Sequence, residues 1–214
     1  MNKFPFQIKI NGEPRTANLR FATKTELRRY HHSLVPFARE SSIVVREAVE
    51  FTRLAAKRWR YYSRTDEVAE SFVQLHGEIR RNKRCEVAFI MVATIRHGRH
   101  DLPVGLAYCR RTWCHNLALD FLALHPRALD QTWHVSGVGS GIVFGLVQLA
   151  RALNIRRIWG EATVNSAPFY EKLLAVSPVQ DLFIIETREM AAIKNRQKKI
   201  SNPALVTGGA VGLH

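Results

Sequence analysis

The alternation of apolar and polar positions starts with two short period-two stretches, residues 7–10 and 15–21, on either side of Asn11-Gly12. Asn-Gly between alternating runs is a strong hairpin signal, because both residues tolerate the positive φ of a tight turn. The period then lengthens. Thr25 can cap a helix that begins at Glu26 and is broken or kinked by Pro36. From Ser42 the apolar residues Val45, Ala48, Val49, Leu54 and Ala55 recur at helical spacing to about Trp59. Val68, Phe72, Leu75 and Ile79 predict another amphipathic helix after Asp66. Past Arg84 the texture turns to strands. Runs at 86–95, 104–110 and 117–124, the first two separated by a loop around Gly98 and Pro103, predict a meander. The third is apolar at every position except Asp120, the pattern of a strand covered on both faces. A strongly apolar helix at 142–153, a strand at 156–163, a helix at 166–174 and a strand at 182–186 follow. The last segment moves from basic to Gly-rich residues and reads as a disordered tail.

These elements divide the chain into a hairpin and helical extension over 1–65, an α/β core over 66–193 and a tail over 194–214. At 214 residues there is room for one well-buried domain with an extension. No run of 18 or more apolar residues is present, so no membrane-spanning helix is expected, and the first residues lack a signal-like apolar stretch. The expected location is therefore the cytoplasm. Cys85, Cys109 and Cys114 read as free thiols. Joining Cys109, Cys114 and His115 with His97 and His100 as a metal site fits no standard zinc spacing.

Charge changes the picture more. Thirty-two Lys and Arg against eighteen Asp and Glu give a net +14, a field that attracts polyanions and is screened by salt. Nucleic acid is the first such partner to consider; a merely basic protein is the alternative. The cluster Lys57-Arg58-Trp59-Arg60-Tyr61-Tyr62 suits a nucleic-acid backbone and bases, and equally the exposed end of an amphipathic helix with its aromatics turned inward.

The candidate chemistry begins at Ser136-Gly137-Val138-Gly139-Ser140-Gly141, a glycine-rich turn between strand and helix. Glycines allow close backbone approach to phosphate, and the helix start adds unpaired N–H groups and the positive dipole end. The dinucleotide pattern Gly-x-Gly-x-x-Gly fails here, since its last position is Ile142. Three segments in order resemble the GNAT acyltransferase superfamily: this turn, with Ser136 where the family has Gln or Arg; the strand Leu119–Leu124 running into His125-Pro126; and Asn165-Ser166-Ala167-Pro168-Phe169-Tyr170-Glu171-Lys172, close to the family's Asn-x-x-Ala-x-x-Phe-Tyr-Glu-Lys block. Val104-Gly105-Leu106-Ala107 is similar to the start of the family's preceding strand. The stretch 126–136 is longer than the family's, and the first 65 or so residues are only partly accounted for.

The resemblance implies a mixed central sheet, splayed in the middle and flanked by helices. It also implies an N-acetyltransferase that uses acetyl-CoA as co-substrate and acts by direct attack of an amine. On that pattern Leu122 and Leu124 pair with the pantetheine arm through their backbones. The amides of Val138, Gly139, Ser140 and Gly141 hold the pyrophosphate, Asn165 lies beside the pantetheine, and Tyr170 faces the sulfur as proton donor. Tyr170 has a plainer reading as a half-buried helix aromatic. Asp120 is the favoured base, with Glu161, His115, His125 and a water chain as alternatives. The acceptor is an amine on a small molecule or protein. Rival readings are a nucleic-acid substrate (a DNA base or an aminoacyl-tRNA) and a non-catalytic acyl-CoA-binding module. A homodimer is left open.

Overall fold

The computed structural model describes residues 3–37, 42–64, 68–129 and 133–201. Strands β1 (Lys3–Ile10) and β2 (Glu13–Phe21) form the expected hairpin, with Asn11 and Gly12 at φ of 53° and 84°. Helix α1 (Lys24–Ser33) is capped by Thr23, two residues before the predicted cap. The Thr23 hydroxyl accepts from the Glu26 N–H while the Glu26 carboxylate accepts from the Thr23 N–H, a reciprocal capping box. A 3₁₀ turn (Val35–Phe37) precedes α2 (Ile43–Tyr62), which buries Ala48, Val49, Thr52, Ala55 and Trp59 along one stripe.

Val68 and Ala69 form a short strand, β3, where the helix was expected to begin. They pair in parallel with Ala88 and Phe89, along the stretch of β4 (Val87–His97) that β2 leaves unpaired. Helix α3 (Phe72–Arg81) therefore starts later, capped by Ser71. The meander is completed by β5 (His100–Arg111) and β6 (Leu117–Leu124), the latter with the predicted bounds. Pro103 lies inside β5 rather than in a loop, at a register shift opposite Ala93 and Thr94, where its missing N–H is tolerated.

Then come α4 (Pro126–Leu129), β7 (Val135–Ser136), α5 (Val138–Ala152), β8 (Ile158–Glu161), α6 (Ala167–Leu174), β9 (Leu182–Ile185) and α7 (Thr187–Ser201). Among the described residues the strands make one mixed sheet in the order β7-β1-β2-β4-β5-β6-β8-β9, with β3 beside β4. One face packs on α3, α5, α6 and α7; the other packs on α1 and α2. Two boundaries differ from the sequence reading. The hairpin is no separate extension, because β2 pairs with β4 and β1 with β7 inside the same sheet. Residues 194–201 belong to α7, whose Met190, Ile193 and Gln197 are buried at helical spacing; the remaining residues of the expected tail, 202–214, lie outside the described residues.

The sheet opens at one place. β6 and β8 run parallel and pair only at Leu117 with Ile158 and Ala118 with Trp159. Beyond that, β8 stays with β9 and β6 stays with β5, so from Asp120 to Leu124 one edge of β6 has no strand beside it among the described residues.

Candidate functional site

A cleft of about 730 Å³ runs through this opening. Its walls come from both faces of the sheet: Val44, Glu47 and Phe51 of α2 on one side, the start of α5 and the inner face of α6 on the other. Leu122 and Leu124 line it from the unpaired edge of β6. An edge strand without a neighbour presents N–H and C=O groups that an extended amide-bearing chain can pair with.

At the head of α5, Gly137 adopts φ of 85°, the left-handed region that suits glycine, and turns β7 directly into the helix. No side chain caps the helix. The N–H groups of Val138, Gly139 and Ser140 belong to its first turn, where no intrahelical acceptor exists, and all three residues line the cleft. Gly141 was expected to join them, but its N–H donates to the Gly137 carbonyl at 2.9 Å. Its lack of a side chain serves packing: a Cβ there would lie 2.0 Å from Cδ2 of Phe6. The run of free N–H groups thus ends at Ser140. The Phe169 ring rests against Gly139, 3.2 Å from where a Cβ would sit.

Tyr170 also lines the cleft. It is only 4% exposed, stacked on Phe183 with centroids 3.7 Å apart and met edge-on by Phe169 at 4.9 Å. Burial, with a smaller contribution from the neighbouring Cys109 thiol, pushes its pKa well above the ordinary value for a phenol. The phenol therefore keeps its proton throughout the neutral range. Asn165 lines the mouth and donates from Nδ2 to Oε1 of Glu47 at 3.0 Å, linking the loop before α6 to α2 across the opening.

Asp120 is placed elsewhere. The period-two reading put it on the face of Leu122, but the β5–β6 register shifts there: Tyr108 opposes Phe121 while Cys109 opposes Leu119. Asp120 is the unpaired residue of that bulge, and the strand changes phase around it. Its carboxylate is gripped by Arg110, Nε to Oδ2 at 2.6 Å and Nη2 to Oδ1 at 2.9 Å, with Arg58 of α2 3.8 Å away. It does not line the cleft.

The alternative bases are also accounted for. His125 is fully buried; its Nδ1 accepts from the Arg127 N–H at 3.1 Å, so the proton sits on Nε2, 2.8 Å from the Ser33 hydroxyl. Its pKa is lowered to about 4 by burial and by the charge of Arg127. His115 accepts from Arg111 in the β5–β6 turn, and its pKa is lowered by burial and that same guanidinium. Glu161 is exposed and outside the lining.

Sequence reasoning missed Glu47, Phe51, Lys172 and Arg196, all of which line the cleft. No pattern singled out Glu47 or Phe51, Lys172 entered only as the last residue of the Asn165–Lys172 block, and Arg196 was assigned to the tail. In the fold Arg196 donates to the Lys172 and Leu173 carbonyls at the end of α6. On the outer surface, cations of α1 and α2 crowd one another: the His31 pKa is lowered by burial, then by Arg53, His32 and Arg60. Among the described residues no group of three or more His, Cys, Asp or Glu side chains is gathered as a metal would need. No helix there is long and apolar enough to cross a membrane.

No family model matches the chain, and no curated protein matches it in sequence. Solved structures with a similar chain path include mutant forms of the spermidine/spermine N-acetyltransferase SpeG from Vibrio cholerae, at 14% identity, covering 84% of this chain and 98% of that one, with a TM-score of 0.42. A chimera of that Vibrio enzyme is similar at 13% identity over 84% of this chain and 99% of its own, TM-score 0.43. An acetyltransferase of the GNAT family from Staphylococcus aureus is similar at 11% identity over 78% and 97%, TM-score 0.40. Likeness of this degree leaves the chemistry to be read from the cleft itself.

Proposed function

We propose that the chain is an acyl-CoA-dependent N-acyltransferase of the GNAT type, with acetyl-CoA as the donor and a primary amine as the acceptor. The observation that carries this reading is the meeting, in one cleft, of an unpaired strand edge, a glycine-rich helix start and a buried phenol. The residues present fit the donor. Val138, Gly139 and Ser140 offer unpaired N–H groups and a helix dipole to a pyrophosphate. Lys172 and Arg196 add positive charge to the same walls. The free edge of β6 at Leu122 and Leu124 suits the amides of a pantetheine arm.

Acetyl-CoA, when bound, supplies an activated carbonyl on a thioester sulfur. The chain's own contribution is position, exclusion of water and a proton. Phe51, Phe169 and Leu173 line the cleft with apolar surface, which keeps water from competing with the amine. In the transfer the amine nitrogen bonds to the carbonyl carbon, the C–S bond breaks, and its electron pair leaves on sulfur. Tyr170 gives the sulfur a proton from its hydroxyl, and the proton lost by the amine returns through solvent. Holding two reactants in one orientation is itself a large part of such catalysis.

Isothermal calorimetry with acetyl-CoA tests the reading. Binding to the unmodified chain is expected, and Gly139→Asp should abolish it while circular dichroism stays unchanged, because its side chain pushes Phe169 into the cleft and its charge repels phosphates at the helix start. Unchanged affinity in the folded variant would move the cofactor away from this turn.

A further inference from the structure

The cleft has a second, unassigned half. Among the described residues that line it, Glu47 is the one carboxylate, and it enters from α2, on the opposite face of the sheet from the glycine turn. Asn165 donates to its Oε1, which fixes the carboxylate in the opening, and Oε2 has no partner among the described residues. Several aliphatic side chains close to it along the chain are uncovered. Ile43, one helical turn before Glu47, is 63% exposed; Val44, also in the lining, is 53% exposed; Val164, next to Asn165, is 90% exposed. Phe51, one turn after Glu47, continues the wall inward. A half-buried carboxylate sharing the cleft wall with Val44, Ala48 and Phe51 is an amphipathic receptor.

We infer that this mouth is the acceptor site and that its ligand is a monoamine carried on an apolar body, its ammonium on Glu47 and its hydrocarbon against Val44 and Phe51, with the uncovered Ile43 and Val164 nearby in the chain. The inference rests on the acyl-transfer reading and adds the class of acceptor. Charge disfavours the obvious competitor. An amine with two or three ammonium groups brings extra positive charge toward the other charged residues lining the cleft, Lys172 and Arg196, in a chain of net charge +14. A strongly polar amine gains nothing from the aliphatic rim and leaves it wet. Entry from the α2 face also fits the division of the cleft: the anionic donor is held from the α5 side, and the cation arrives from the other, so the two do not compete for one doorway.

Hexylamine, spermidine and glucosamine at equal concentrations, with acetyl-CoA as donor and release of free thiol as readout, test the assignment on the full chain. Hexylamine should give the highest kcat/KM. Glu47→Gln should lower it about tenfold to a hundredfold, mainly through KM, as expected for loss of a charge-assisted hydrogen bond. The same variant should bind acetyl-CoA as the unmodified chain does. Val44→Ser should narrow the preference for hexylamine over glucosamine. Calorimetry of hexylamine binding to the CoA-bound protein gives a second readout independent of turnover. Preference for spermidine or glucosamine, transfer confined to an amine tethered to RNA, or an unchanged KM in Glu47→Gln would each overturn the inference while leaving the donor site standing. Failure of the unmodified chain to bind acetyl-CoA would instead bring down the acyl-transfer reading itself.

Discussion

The stability of this fold should fall between pH 6.5 and 4 by an amount traceable to one residue, His125. The imidazole sits at the end of β6, fully buried, with Tyr30 and Phe37 edge-on to it. Its Nδ1 accepts from the Arg127 N–H and its Nε2 meets the Ser33 hydroxyl, which itself donates to the Tyr30 carbonyl. A second proton has to go on Nδ1, against an N–H already pointing there and near the Arg127 charge. The pKa accordingly drops from 6.5 to about 4. A group with a depressed pKa in the folded state leaves stability intact above its unfolded pKa and removes it as the pH falls toward the folded one, because only the unfolded chain takes up the proton. A shift from 6.5 to about 4, at about 1.4 kcal/mol per unit, amounts to roughly 3 kcal/mol by pH 4. For a chain of this length that is a fall of about 6–12 °C in melting temperature. Urea melts at half-unit steps from pH 7.5 to 4, on the unmodified chain and on His125→Gln, isolate the effect, since other carboxylates titrate alike in both. The expected difference in slope is about 1.4 kcal/mol per pH unit over that window. Parallel curves would refute the reasoning, and would mean that the imidazole is neither buried nor held neutral as described.

Two further outcomes bear on the site. Tyr170→Phe should keep acetyl-CoA affinity and lower single-turnover transfer by about a hundredfold to ten-thousandfold, the usual range for a lost acid–base group; an unchanged rate would return Tyr170 to packing. Because its phenol is held above the ordinary range, no alkaline limb between pH 7 and 9 should vanish with it. Asp120→Asn should behave oppositely: turnover per folded molecule stays within a few-fold, while stability falls by up to about 3–5 kcal/mol as the Arg110 pair is broken. Loss of activity at full stability would restore Asp120 to the chemistry.

What could be read from the sequence divides along a physical line. β6 was legible to the residue because it is apolar on both faces, and the Asn11-Gly12 turn because its φ values demand such residues. Leu122, Leu124, Val138, Gly139, Ser140, Asn165 and Tyr170, which the motifs picked out, all line one cleft. The failures come from long-range pairing and phase. A two-residue strand such as β7 has no periodicity of its own and exists because Lys9 and Ile10 lie beside it. The bulge at Asp120 is one residue of slippage, enough to reverse which side chains share a face. Gly141 looked like its neighbours in the turn, but only backbone geometry tells a helix's first free N–H groups from its first bonded one. For α7 the signal was present: Met190, Ile193 and Gln197 keep helical spacing, masked by the density of lysine and arginine around them.

The hairpin taken as an extension turns out to be what holds the candidate anion seat in place. β7, the strand that delivers the glycine turn, has β1 as its strand neighbour. Gly137 lies directly over β1, where a Cβ would make ordinary contact with the Ile8 Cα at 3.8 Å and the Gln7 carbonyl oxygen at 4.0 Å, so the turn needs glycine for its φ rather than for space. Phe6 of the same strand fills the hollow that Gly141 leaves in α5. From the other end of the chain, Gln197 of α7 is buried and accepts the Gln7 N–H at 3.0 Å. One strand near the start of the chain and one helix near its end therefore clamp the beginning of α5 from beneath, while the first-turn amides face the cleft above. A loop tip with that many fixed neighbours keeps its N–H groups converged before any ligand arrives, and convergence in advance is what lets a few amides hold a doubly charged group without losing affinity to reorganisation.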